Sequence, residues 1–448
     1  MSKKGCSRLL RPLVSLLTGG LVLGLAQGAE VVPGTLDLSF RPRFSSTVNM
    51  ARALPDGRVV VGGYFTRVND VHQPHLARLN ADGTLDESFA PAVDGAVDGV
   101  WYTPAGKLLI SGSFTEINGM ERRRLAVLNL DGSLEVSFAP EVSKEIKALL
   151  LQPDGRIVLT QGSKLVRLNA DGTVDPSFNC TFAGSVYALA GLPDGRILLG
   201  GAFYRVNGIT TAKRLARLNP DGSLDESFTP SVGTGTVQAI AVRDDYSCYV
   251  GGSFSSGIGG RPQQVAHFLP NGSMDYSFQV TIQPSTADVL SLRVAPNGKL
   301  VVAGDFSGVN GETRHNLVQV NDDGSTDAAF VGMTDATGEI RSVTTTDDGR
   351  LLIAGSFDQV DQIAQKYLAR LHGEQPSHIL QAEIWIAVEI GWNSEAGKHY
   401  QVQWADEVDS AFWYDLGEPV EGTGQKMYVF DSVRASGPQK FYRVKVLD

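Results

Sequence analysis

Residues 34–42 read GTLDLSFRP, and residues 83–91 read GTLDESFAP. The second copy follows a strand pattern and an Asp-Gly turn; the first follows an apolar leader and has neither. A motif met halfway through raises the question of where its other half lies. The rest of the chain answers with a repeat. Aligned on the turn glycine, the copies fall at Gly83, Gly132, Gly172, Gly222, Gly272 and Gly324. Aligned on the serine-phenylalanine pair, they fall at Phe40, Phe89, Phe138, Phe178, Phe228, Phe278 and Phe330. A third marker, GGYF at 62–65, returns at 111–114, 200–203, 251–254, 303–306 and 354–357, and is missing from the short third unit. Self-similarity at a period of about fifty residues is the mark of a repeat architecture.

Unit 1 shows what each repeat encodes. VNMARAL (48–54) and VVVGGYF (59–65) read as strands, the second β-branched at its start and ending on glycines that admit close backbone approach. PDGR (55–58) is a tight turn: Pro presets φ, Asp bonds its own backbone and Gly accepts a left-handed conformation. A polar loop is expected at 66–74, then a third strand HLARLN (75–80), a second turn ADGT (81–84) and a short fourth strand LDESF (85–89). Four short antiparallel strands per repeat match a β-propeller better than a helical solenoid. The seventh unit, 333–372, has EIRSVTT, DDGR, LLIAGSF and KYLARLH, then stops without the closing phrase. The phrase at 34–40 is the strand it lacks. An open sheet edge is a liability, so the N-terminal segment is expected to complete the last unit. The fold class expected is all-β: a seven-bladed β-propeller over residues 30–373, closed by an N-terminal strand, then a small β-sandwich.

The text LPDGRVVVGGYFTRVN…LARLNADGTLDESFAP resembles the delta-60 repeat family of β-propellers, found in secreted and surface-associated bacterial proteins. That resemblance implies a propeller fold and brings no known catalytic residues with it. Two units depart from the pattern. Unit 3 lacks a loop, and unit 5 has RDDYSC (243–248) where the turn glycine is expected.

Lys3, Lys4, Arg8 and Arg11 precede the apolar run LVSLLTGGLVLGLA (13–26), and small residues follow, so residues 1–28 are expected to be a signal peptide. The run is shorter than a membrane span needs. Without the leader, 35 Lys and Arg face 49 Asp and Glu, a net charge of −14. That balance argues against binding nucleic acid or anionic membranes without specificity. The expected location is secreted, periplasmic or at the cell surface, as a monomer with no membrane span. Cys180 and Cys248 fall in different units and are expected to be isolated thiols. Residues 374–378 form a Gly/Pro linker. In 379–448, four of the five tryptophans cluster among strand-like segments such as AEIWIAVEIGW (382–392) and KFYRVKVL (440–447). YQVQW…WYDLG…FYRV is similar to C-terminal domains of large secreted bacterial proteins, some linked to surface attachment. A spacer role and a glycan-binding role both stay open.

Candidate chemistry is sparse. NADGTLD (80–86) and NDDGSTD (321–327) resemble a truncated calcium loop, but offer about three oxygens where such a loop needs six or more. Calcium is kept as a weak possibility; no other cofactor or metal is expected. His72 and His75 share a loop with no third zinc ligand. Asp37, Asp86, Asp175 and Asp225 recur at one repeat position, which points to structure. Asp98, Glu116 and Glu145 break the repeat, where catalytic residues should be sought, but the sequence pairs them with nothing. Eleven basic residues against six acids occupy the loops between second and third strands, among them Arg67, Arg122, Arg205, Arg214, Arg261 and Arg314, candidates to contact a ligand. Adding the blade-to-blade loops brings the count to twelve against twelve, a mixed rim. The expected function is a binding or scaffolding module for a protein or glycan on the loop-bearing face. The alternative is a carbohydrate-active hydrolase or lyase at the propeller axis, which convergent carboxylates would favour. The short third unit is expected to leave a notch in the rim, opening a groove toward the axis.

Overall fold

The computed structural model describes residues 31–210, 214–256, 262–373, 385–405, 413–434 and 441–447. The expected signal peptide, the linker and Arg261 lie outside the described residues. The chain divides into two compact units. The first holds residues 1–295 and 299–373, the second 296–298 and 374–448.

The first unit is all-β. Among the described residues it contains seven antiparallel meanders, numbered here as sheets 1 to 7 by their inner, middle and outer strands. They are Val48–Ala53, Val59–Gly63 and Leu76–Leu79; Val97–Tyr102, Leu108–Gly112 and Leu125–Leu128; Leu149–Leu151, Ile157–Gln161 and Lys164–Leu168; Val186–Gly191, Ile197–Gly201 and Leu215–Leu218; Val232–Val242, Cys248–Ser256 and Pro262–Phe268; Asp288–Val294, Leu300–Asp305 and Leu317–Val320; Ile340–Thr345, Leu351–Gly355 and Leu368–Leu371. Middle and outer strands of sheet 1 are buried throughout. Both faces of the sheet are therefore covered, which is why VVVGG is continuously apolar instead of alternating. The cores lie between neighbours: Val60 and Leu76 of sheet 1 pack with Val100, Ile110 and Phe114 of sheet 2. The doubled glycine answers to packing as well. A Cβ on Gly63 would lie 2.3 Å from the carbonyl oxygen of Thr47.

Two expectations for the repeat change. LDESF is no full strand. Leu85 makes a single bridge to Leu79. Asp86 Oδ1 then accepts the Ser88 amide and hydroxyl, and this Asx turn pulls the chain off the ladder and drives Phe89 into the core. Nor is 66–74 a polar loop. Arg67–Val68 and Val71–His72 form a small β-hairpin, with counterparts at 116–121, 308–313 and 359–364. The segment arriving from the preceding repeat pairs with it: Phe44 with Val68, Val93 with Ile117, Thr334 with Val360. Asn69, Asn118, Asn207 and Asn310 hold this junction with φ between 47° and 52°. Their Oδ1 atoms accept the amides of Arg43, Ala92, Thr181 and Thr281. Their Nδ2 atoms donate to the carbonyls of Gly83, Gly132, Gly222 and Gly324. Asn tolerates the left-handed backbone and supplies both donor and acceptor.

The recurring aspartates hold a second junction. Asp86 Oδ2 lies 2.7 Å from Arg78 Nε and 3.1 Å from Arg58 Nη1. Arg167–Asp175, Arg217–Asp225 and Arg370–Asp37 repeat the 2.7 Å pair. Each arginine stacks on the motif phenylalanine and reaches a turn of the next repeat: Arg78 to Leu130, Arg167 to Pro220, Arg217 to Pro270 and Arg370 to Ala81 carbonyl oxygens. Burial alone would raise the Asp37 carboxyl. Hydrogen bonds from Ser39 and Arg370, with the Arg370 charge, outweigh it and hold the group down at about 2. Sheet 5 replaces the arginine by His267, whose Nδ1 lies 2.9 Å from Asp275 Oδ2.

Residues 34–40 dock on sheet 7. Leu36 bridges Leu371, Gly34 N donates to His372 O at 2.7 Å, and Asp37 N donates to Arg370 O at 2.8 Å. Sheet 7 also meets sheet 1: Thr344 Oγ1 donates to Ala51 O at 2.9 Å, and Leu352, Ala354 and Leu368 share a core with Phe40, Val48 and Phe65.

Cys180 and Cys248 are free and buried in different sheets, and burial pushes both thiols up to about 12. In the second unit, Trp385–Asn393 pairs with Lys426–Arg434, and His399–Ala405 pairs with Phe441–Leu447, Tyr414–Asp415 and Val420–Glu421. Tyr400, Val402 and Ala405 are buried there.

Candidate site at the inner strands

Six of the seven inner strands break register at a shared place. In sheet 1, Val48 pairs with Gly63 but Met50 with Gly62, so Asn49 is an extra residue. The same bulge places Asp98, Tyr187, Gln238, Leu290 and Arg341 in sheets 2, 4, 5, 6 and 7. The buried Val or Ile before each bulge repeats; the bulged residue does not. Bulges re-aim side chains and concentrate near functional sites.

Three of these residues form one network across sheets 7, 1 and 2. Arg341 Nε donates to Glu339 Oε1 at 2.7 Å, Arg341 Nη1 to Asn49 Oδ1 at 2.8 Å, and Asn49 Nδ2 to Asp98 Oδ1 at 2.9 Å. Asp98 is solvent-exposed, yet crowding by protein pushes its carboxyl up. The Glu145 charge adds to the rise, while Arg341 and the Asn49 hydrogen bond oppose it. Exposure together with desolvation is what a group lining a water-filled recess experiences.

A groove of about 250 Å³, linked to Asp98 by the Glu145 charge, is lined by Lys144, Glu145, Lys147, Thr160, Gly162, Phe182, Gly184, Ser185 and Val186. It lies at the short third repeat. There the chain turns tightly between Gln161 and Lys164, and the incoming segment Cys180–Ala183 pairs with Lys164–Leu165 on one side and Arg205–Val206 on the other. That segment pairs along the edge where a notch was expected, and the groove lies next to it. Lys147 Nζ lies 3.3 Å from Ser185 Oγ and 5.4 Å from the centre of the exposed Tyr187 ring. The groove offers two cations, one carboxylate, two hydroxyls and the Phe182 ring, with Tyr187 reached through Lys147. Larger cavities of about 440 and 380 Å³ lie along the outer strands of sheets 5 and 4.

The arginines singled out from sequence lie on hairpins of different sheets. Arg67 and Arg205 are exposed and hold equivalent positions, Arg67 donating to the Asp70 carbonyl. Arg122, Arg214 and Arg314 donate to the carbonyl oxygens of Val136, Gly235 and Phe330. Hairpin pairing folds these three back onto their own scaffold. Glu116 is exposed on the hairpin of sheet 2. Asp82 of the calcium-like turn spends Oδ1 on the Thr84 amide and hydroxyl. Among the described residues, no group of three His, Cys, Asp or Glu could hold a metal, and no helix is long and apolar enough to cross a membrane. The sequence singled out Asp98 but not Asn49, 49 residues from it, nor Arg341, 292 residues from Asn49. The available signal was variability at the bulge position.

A family model described as domain of unknown function (DUF5122) beta-propeller matches residues 54–89, 104–138, 152–178, 192–228, 295–330 and 346–373. Each match begins near an inner-to-middle turn. The fifth repeat, with Tyr246 at the turn glycine's place (φ 67°), is passed over. No curated protein matches the sequence. Two solved structures are similar in fold. A streptogramin B lyase is 13% identical with a TM-score of 0.51, covering 73% of this chain and 93% of that one. A virginiamycin B lyase from Staphylococcus aureus is 10% identical with a TM-score of 0.50, covering 74% and 97%. Identity this low speaks to fold alone. The six repeat matches and the likeness to these structures support a β-propeller repeat fold.

Proposed function

We propose that residues 31–373 form a seven-bladed β-propeller closed by residues 34–40, followed by a β-sandwich, and that the chain is a secreted or surface binding module for a glycan or protein. The closure reading is supported by Arg370, which reaches Ala81 across the last-to-first boundary as Arg78 reaches Leu130 across an internal one. Secretion is supported by the basic-then-apolar leader. The observation that carries the binding reading is the Glu339–Arg341–Asn49–Asp98 network with the groove linked to it by the Glu145 charge. Polar groups held by each other at a recess, beside an exposed tyrosine, suit a ligand rich in hydroxyl or carboxylate groups. Arg67 and Arg205 on the hairpins would extend the surface. A glycan array and a secretome pull-down with the full chain test this, with Asp98→Ala and Arg341→Ala as controls. Capture that survives both substitutions unchanged would remove the network from the binding site.

A second reading has its own support. Burial and the Glu145 charge push the Asp98 carboxyl up, against Arg341 and Asn49, and two carboxyls that sense each other are the kind of pair a hydrolase or lyase uses. Turnover of acidic or neutral polysaccharides that Asp98→Asn and Glu145→Gln both abolish would establish it. Binding without turnover across such a panel leaves the first reading standing.

A further inference from the structure

Two arginines on the inner strands stand outside the pairing scheme that governs the arginines the repeat restates. Arg58, Arg78, Arg196, Arg217, Arg350 and Arg370 each contact an aspartate within 3.2 Å. Arg52 and Arg293 have no ion pair among the described residues. They occupy one register position, opposite Val60 in sheet 1 and Val301 in sheet 6. That position is Trp101, Leu150, Ala190, Ala241 or Thr344 in the other sheets. Two charges therefore replace uncharged residues at a site where the fold asks for none.

Sheet 7 brings the pair together. Its inner strand is laced to both neighbours: Val343 N donates to Ser291 Oγ at 3.0 Å, and Thr344 Oγ1 donates to Ala51 O. Arg293 Nη2 donates to Thr345 Oγ1 at 2.9 Å, near the turn-bearing end of that strand. Arg52 is close enough to Arg293 for its charge to disfavour the second cation, and Asp347, just beyond Thr345, favours Arg52 only in part. Burial lowers both guanidiniums, yet Arg293 is exposed and Arg52 half-exposed. As at Asp98, this is the condition of a group lining a solvent-reached recess. Two cations at one register position on the sheets that flank sheet 7, with no ion pair among the described residues, suit a shared anion.

We propose that Arg52, Arg293 and Thr345 form an oxyanion-binding site at the turn-bearing end of the inner strands, opposite the Asp98 network, for a sulfate, phosphate or carboxylate group. The guanidinium forks would each give two parallel hydrogen bonds to such a group, and the Thr345 hydroxyl a third contact. Ligands of those three types share this chemistry. Titration of the full chain with sodium sulfate, phosphate and acetate, at ionic strength held constant with sodium chloride, separates them. The expected result is a saturable rise in Tm with at least one oxyanion, absent with chloride alone. Arg52→Gln and Arg293→Gln should each weaken the apparent affinity by about tenfold or more. Without added oxyanion both variants should be as stable as the parent or more so, because repulsion is relieved. Thr345→Val should weaken binding less than either. Equal oxyanion responses in parent and variants, or no saturable response in the parent, would overturn the proposal; so would a loss of stability in both variants without oxyanion.

Discussion

The motif at 34–40 and its uninterrupted counterpart at 83–89 make the same bonds from different covalent connections. In the intact copy, Gly83 N donates to Asn80 O and Asn80 N to Thr84 O, at 2.9 and 2.8 Å, within one turn. In the split copy, Gly34 N donates to His372 O and His372 N to Thr35 O, at 2.7 and 2.9 Å, between residues more than 330 positions apart. Asp86 and Asp37 each sit between two arginines. The difference lies in cost. The intact turn closes a loop of a few residues; the split one must hold the chain's two distant parts by packing and hydrogen bonds alone.

Deleting residues 30–44 is the strongest test of that difference. It removes Phe40 and Leu36 from two cores and leaves Arg370 buried without its carboxylate, so Tm should fall by many degrees; an unchanged Tm would show the split copy dispensable. Next comes Asp37→Ala against Asp86→Ala. Each strands a buried arginine and should cost about 3–5 kcal/mol by denaturant unfolding. A markedly larger loss at Asp37 would mean that docking of 34–40 depends on the ion pair. Acid unfolding sharpens the same point. A carboxyl at about 2 in the folded chain, against an ordinary value near 4, adds stability above pH 4 that is lost as pH falls through 2. The acid limb of Tm against pH should be shallower in Asp37→Ala than in the parent.

The smallest effect concerns Asp361, which stands in the last repeat where Asn69, Asn118, Asn207 and Asn310 stand in others. Its Oδ1 accepts the Met333 amide at 3.2 Å, Oδ2 is buried without a close hydrogen-bond partner, and burial pushes the carboxyl up against the opposing Met333 and Leu36 amides. The equivalent asparagines use that second atom to donate to the turn glycine, here Gly34 by register. Asp361→Asn should therefore raise stability by about 1 kcal/mol, measured by denaturant midpoint. A loss would show that the split turn places the Gly34 carbonyl beyond reach.

Much of the frame was legible in the text. Tight turns, glycine pairs and apolar runs are local, and repetition multiplied a weak signal into a strong one. The hairpin at 66–74 was not legible, because its partner strand is the segment 43–45 delivered by the preceding repeat. LDESF looked like a strand because the Asx turn that ends it competes with the ladder through a side chain that strands also tolerate. The settings of the candidate arginines were not legible for a related reason: charge composition says nothing of whether a guanidinium faces solvent, as at Arg67, or the carbonyl of Val136 or Phe330.

What the sequence alone determined is the repeat: its period, its turns, the structural duty of Asp37, and the place where one copy is cut. Those follow from short-range chemistry that every copy restates. Tertiary structure alone decided which residues that break the repeat come together. Asn49, Asp98 and Arg341, like Arg52 and Arg293, lie on different sheets, and only the lacing of inner strands brings side chains fifty to three hundred residues apart within hydrogen-bond or coulombic reach.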